Sequence, residues 1–170
     1  MDRAKFMHYL PWGMAIFIAV VFVQSLFFKF SNSFETQHIF GTIGEWMAGI
    51  GLLEFAAAGF VAYGGYTIGT IELIASLLLL WRKTQALGAT IAFFVISGAI
   101  FFHLFTPLGV SVVINEAGDR DGGQLFTMAV LVWLFSLSIV GLRRNDLLSA
   151  FGRSANPAVV QGNEVKGVRI

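Results

Sequence analysis

The chain of 170 residues contains no cysteine and three prolines, and only 12% of its residues are charged. Without cysteine it can build no disulfide framework, thiol relay, cysteinyl iron-sulfur cluster or covalent c-type haem. Any redox role therefore needs a bound cofactor or a partner subunit. A net charge of +1 supplies no basic surface for a nucleic-acid partner. The prolines punctuate the chain: Pro11 opens the first apolar run, Pro107 stops the third, and Pro157 lies in a polar tail.

What the chain has in abundance is apolar surface. Hydrophobic residues make up 56% of it, 18 of them Phe, and the mean hydropathy is +0.77. Soluble domains stay at roughly 45 to 50% apolar, so the composition is that of an integral membrane protein in a lipid bilayer. Apolar runs predict four spans, at about residues 10–30, 64–82, 85–106 and 124–142. They form one all-α domain, a four-helix membrane bundle. The first run, at about 20 residues, is too long for a signal-peptide core and carries no small-residue cleavage site.

Between the first two spans the pattern is mixed. Ser33 can cap an amphipathic helix through Phe34, Ile39, Phe40 and Ile43, suited to the membrane interface. The apolar patch Met47 to Ala62, interrupted by Gly49, Gly51, Glu54 and Gly59, is short for a span. Were it to cross alone, Arg82 and Lys83 would face outward, against the positive-inside rule. It is expected to be an additional extracytoplasmic re-entrant or surface segment. Nine of the eleven Lys and Arg residues then lie on one side, Lys29 and Arg120 on the other. This predicts a multi-pass protein of the cytoplasmic (inner) membrane with both termini cytoplasmic. Residues 143–170 form the cytoplasmic tail, with a short amphipathic start at Leu147 to Phe151 before disorder.

Polar residues inside the spans point to a site. Glu72 lies in the apolar run Tyr66 to Trp81, where a carboxylate costs about 2.5 to 3.5 kcal/mol at mid-membrane. It shares a helical face with Gly65, Gly69 and Ser76, and a small-xxx-small pair lets another helix approach closely. His103 falls on a stripe with Ala92, Ile96 and Ala99. At 1.5 Å per residue, Glu72 lies about 9 Å and His103 about 6 Å below the outer boundary, with Lys29 and Gln124 at that boundary. Lys29, Glu72, His103 and Gln124, one from each span, are the candidate ligand-binding residues.

For Lys29 the simplest role is snorkelling to the interface. Glu72 and His103 admit two readings: an interhelical hydrogen bond that fixes register, or a pocket where carboxylate and imidazole bind a quinone-like headgroup and move its protons. Glu35 and His38 stand at i, i+3, as in di-iron bundles, but such centres need a second copy and two further carboxylates. They are a weak metal candidate. The glycines near 64–69 follow no strand and precede no Lys-Ser/Thr, so they are not a phosphate loop.

Several runs together resemble the DoxX-like membrane proteins: Phe27-Phe28-Lys29-Phe30, Gly69-Thr70-Ile71-Glu72-Leu73-Ile74, Ala86-Leu87-Gly88-Ala89, Ser97-Gly98-Ala99-Ile100 with His103-Leu104, and Asp121-Gly122-Gly123-Gln124-Leu125-Phe126. The resemblance covers residues 14–142 and implies a four-helix membrane bundle. It also implies a small subunit or accessory protein of a quinone-linked redox complex, not catalytic alone, with quinone as the possible cofactor and other membrane subunits or a second copy as partners. The alternative is a structural subunit that packs against a larger membrane complex without chemistry of its own. A transporter is disfavoured because the inner half of the spans offers no polar path.

Overall fold

The structure, a computed structural model, describes residues 3–146, with side chains from Tyr9 onward. The expectations for the tail from Leu147 lie outside the described residues. Five helices follow one another: α1 (Arg3–Phe30), α2 (Phe34–Ala48), α3 (Glu54–Leu79), α4 (Gln85–Phe105) and α5 (Gln124–Leu142). Four of them, α1, α3, α4 and α5, are long and apolar enough to cross a membrane. The protein is an all-helical multi-pass membrane protein by that criterion.

The long helices close into a ring in which α1 packs on α3, α3 on α4, α4 on α5, and α5 on α1. Each presents one stripe to the centre. In α1 the stripe is Ala15, Ile18 and Phe22; in α3, Ala75 and Leu79; in α4, Ala89, Ala92 and Ile96; in α5, Ala129, Val132 and Ile139. Lipid is as apolar as these side chains, so the tightness of the fit between helices matters more than the removal of water. Gly88 shows how tight that fit is. A Cβ there would lie 2.7 Å from Leu79 N and 2.9 Å from Ala75 O, so α3 and α4 touch backbone to backbone. Large side chains on the opposite faces, such as Phe27, Phe94 and Phe105, remain exposed, as lipid-facing positions do.

Pro11 lies inside α1 and does not begin it. Proline removes one backbone donor, which a helix tolerates when the freed carbonyl finds another partner.

The second apolar patch departs from expectation. Residues 47–62 form no separate re-entrant element: they divide into the end of α2, a turn, and the opening of α3 at Glu54. At 26 residues, α3 is about 39 Å long. Two of its glycines, Gly64 and Gly65, are where α2 leans on it. A Cβ at Gly64 would meet the Phe40 ring at 2.5 Å, and one at Gly65 would meet Thr36 Cγ2 at 3.0 Å.

Helix α2 is amphipathic, as its sequence suggests, with Thr36, Phe40, Ile43, Gly44 and Met47 buried. Ser33 caps it, its hydroxyl accepting from Thr36 N at 3.3 Å. Around α2 a second apolar cluster forms from Ile43, Met47, Ala57, Leu108 and Val112. Leu108 and Val112 belong to the loop between α4 and α5, so this loop folds under α2 and roofs one end of the bundle.

Candidate functional site

Helix periodicity builds the site. Ser25 and Lys29 are four residues apart on α1 and therefore share a face. They continue the buried stripe of Ile18 and Phe22 towards the end of the helix. On α3, Gly65, Gly69 and Glu72 are buried together. Gly69 allows the approach: a Cβ there would sit 2.9 Å from the ring of Phe30.

Across this contact Lys29 Nζ donates to Glu72 Oε2 at 2.7 Å, and Ser25 Oγ lies 2.8 Å from the same oxygen. Lys29 Nζ also donates to Ser25 Oγ at 3.0 Å. The Ser25 hydroxyl has a second acceptor, Phe22 O, at 2.8 Å, and its single proton serves one of the two at a time. The side chain of Glu72 is 5% exposed and that of Lys29 18%. A carboxylate thus buried is tolerated because an ammonium and a hydroxyl answer it.

Lys29 has a second face. It forms part of the wall of a cleft of about 290 Å³, with Asn32, Thr36 and Gln37 from the α1–α2 junction and α2, and Val61, Ala62, Gly65 and Tyr66 from α3. Phe40 completes the lining. Tyr66 stacks on Phe30 with ring centroids 6.5 Å apart and planes 9° apart, which holds the rim. An ammonium has three protons to donate. Glu72 and Ser25 take two, leaving one proton beyond these bonds. Since the Lys29 charge is already matched by Glu72, and the Glu35 carboxyl is close enough to interact with it, the site has no spare positive charge and suits a carbonyl oxygen better than a further anion.

His103 and Gln124 do not join this group. His103 is buried, but its Nδ1 lies 2.7 Å from Gly109 O, and its ring packs edge-on against Phe126 at 5.7 Å. Gly109 has φ +71, a left-handed turn that brings its carbonyl back to the imidazole. No hydrogen bond joins His103 to Glu72 among the described residues. Gln124 is exposed at the start of α5. Of the four residues, the structure joins Lys29 and Glu72 directly, with Ser25 beside them, and no hydrogen bond links His103 or Gln124 to this pair among the described residues.

Glu35 and His38 do not combine as metal ligands either. The His38 ring stacks on Phe34 at 6.2 Å, and no group of three or more potential metal-ligating side chains occurs among the described residues. Glu35 has a raised pKa, chiefly from burial and secondarily from the Asp121 carboxylate, while Lys29 pulls the other way. Asp121 is lowered: burial opposes its charge, but backbone N–H groups of Leu125, Gly123 and Val112 outweigh it. Those bonds are 2.9, 3.0 and 2.8 Å long and tie the roofing loop to the first turn of α5.

Sequence reasoning passed over Ser25, Thr36 and Tyr66 as site residues. The i, i+4 relation of Ser25 to Lys29 was a usable signal. For Thr36 and Tyr66 the signal is tertiary, arising from α2 folding back along α3.

Comparison with family models, curated proteins and solved structures yields no match.

Proposed function

We propose that this chain is a small integral membrane subunit or accessory protein of a quinone-linked redox system, and that it holds the headgroup of a quinone-like amphiphile in the cleft beside Lys29. One observation carries this reading: Lys29, whose ammonium is held by Glu72 and Ser25, forms part of the wall of a cleft between α1, α2 and α3. Intramembrane ionisable groups mark functional sites more often than chance. The charge balance favours a neutral carbonyl ligand, and the resemblance to DoxX-like proteins supports a quinone as its source. The role of the chain is binding and orientation: Lys29 hydrogen-bonds one carbonyl oxygen, and Glu72 holds Lys29 in place. Both termini face the cytoplasm of a cell whose inner membrane carries the protein, in keeping with nine of eleven basic residues on one side.

The test is equilibrium binding of a short-chain ubiquinone analogue to the purified full chain. Loss of one charge-assisted hydrogen bond, worth about 1.5 to 3 kcal/mol, makes Lys29→Gln bind more than tenfold weaker. Unchanged affinity in a folded Lys29→Gln protein overturns the proposal.

A structural role is the second reading, because the same Lys29 to Glu72 contact clamps α1 to α3. In that case the variant loses stability or partner assembly while the wild-type protein shows no saturable quinone binding.

A further inference from the structure

The opposite end of the bundle carries the second feature that calls for a ligand. Arg143, the residue that ends α5, donates from Nη1 to the carbonyl of Arg82 at 3.1 Å. This bond spans 61 positions of sequence and draws the α3–α4 turn against the end of α5. Four cations, Arg82, Lys83, Arg143 and Arg144, are thereby gathered at one end of the bundle. Asp146 lies 3.1 Å from Arg143 Nη1. Lys83 and Arg144 are exposed and form no hydrogen bond or ion pair among the described residues.

The surface next to these cations is apolar. Leu80 is 46% exposed, Trp81 66% and Leu142 44%; Trp81 and Leu142 immediately precede Arg82 and Arg143, and Leu80 lies two positions before Arg82. Cation and bare hydrocarbon lie side by side, at the termini of two helices long and apolar enough to span a bilayer. A soluble phosphate would use the cations and leave the apolar flank uncovered. A phospholipid uses both.

We propose that this end of the bundle is a binding site for a net-anionic phospholipid, whose phosphate sits among Arg82, Lys83, Arg143 and Arg144 while its acyl chains cover Leu80, Trp81 and Leu142. Basic groups at helix ends recognise anionic headgroups in this manner, each contributing through a charge held near the membrane surface. A zwitterionic lipid brings its own ammonium into an already positive cluster, so the site discriminates by net charge. Arg143 also has a positioning task, since its bond to Arg82 O assembles the site. The inference is independent of the cleft at the other end.

The experiment titrates the full chain in mild detergent with dioleoylphosphatidylglycerol or dioleoylphosphatidylcholine and counts retained lipids by native mass spectrometry. Phosphatidylglycerol is expected to be retained preferentially. In the double variant Lys83→Gln/Arg144→Gln, which removes two exposed side chains without described partners, that preference falls about thirtyfold, at about one kcal/mol per charge. Near-wild-type thermal unfolding of the variant confirms that the fold persists. Equal retention of the two lipids, or an unchanged preference in the variant, overturns the proposal. Displacement of phosphatidylglycerol by inorganic phosphate at equal concentration overturns it as well, since a free anion would then suffice.

Discussion

Lys29 and Glu72 stand 43 residues apart in sequence and meet at 2.7 Å between α1 and α3. Because Glu72 is almost wholly buried, removing its partner strands a charge. Lys29→Met is expected to destabilise the bundle by about 3 kcal/mol, whereas Lys29→Met/Glu72→Leu, which removes both charges, costs much less. Unfolding of the purified variants in detergent checks this. Equal losses in the single and double variants would show that the carboxylate is supported by something other than Lys29.

Gly88 and Gly98 share a helix and differ in what surrounds them. Gly88→Ala drives a methyl into the backbone of α3 and is expected to cost about 1 to 3 kcal/mol. At Gly98 nothing lies within 4 Å of the added methyl, so Gly98→Ala gains up to about 1 kcal/mol from helix propensity. The two variants should move the unfolding midpoint in opposite directions.

Ser136 is fully buried and its hydroxyl has no hydrogen-bond partner among the described residues. Ser136→Ala removes an unsatisfied polar group of nearly the same size. Stability is expected to rise by about 1 kcal/mol, and a loss on this substitution would reveal a partner for the hydroxyl.

Glu35 and Asp121 have opposite pH signatures. The folded pKa of Glu35 lies above 4.5, so the folded protein holds that proton more tightly than the unfolded chain. Its ionisation therefore opposes folding once the pH exceeds the folded value, and the penalty is absent well below 4.5. Glu35→Gln should raise the unfolding midpoint near neutral pH and leave it unchanged in strong acid. The folded pKa of Asp121 lies below 3.8, so its contribution is fully present above 3.8 and fades as pH falls through the folded value. Asp121→Asn should lower the midpoint near neutral pH, with the difference shrinking in acid. Thermal unfolding across pH tests both signs.

His103→Ala breaks the bond to Gly109 O and leaves Lys29 and Glu72 as they are. Quinone affinity is expected to change less than twofold, in contrast to the more than tenfold effect of Lys29→Gln. Amide hydrogen exchange in the loop 106–123 should quicken. Equal effects of the two variants on affinity would bring His103 back into the site.

The long helices were legible because sustained apolar runs have few other ways to fold, and Ser33 was legible as a cap because its hydroxyl acts within one turn. The face of Gly65, Gly69 and Glu72 followed from helical period alone. The start of α3 was not legible. Gly59, Gly64 and Gly65 look like interruptions until Phe40 and Thr36 of α2 are seen to rest against the latter two. Lys29 looked like a side chain reaching for the interface, since nothing local reveals that Glu72 stands opposite. The environment of His103 depends on a backbone carbonyl six residues on, presented by a loop whose path no periodicity encodes.

The uninterrupted course of α3 couples distant parts of the molecule. Val61 and Tyr66 on this helix border the cleft, and its far terminus runs into the turn gripped by Arg143. A continuous α-helix transmits rotation about its own axis instead of absorbing it. Any rolling of this shaft that widens one mouth must also reorient the other, and Gly88, pressed against its last turns at Ala75 and Leu79, is the bearing on which it would turn.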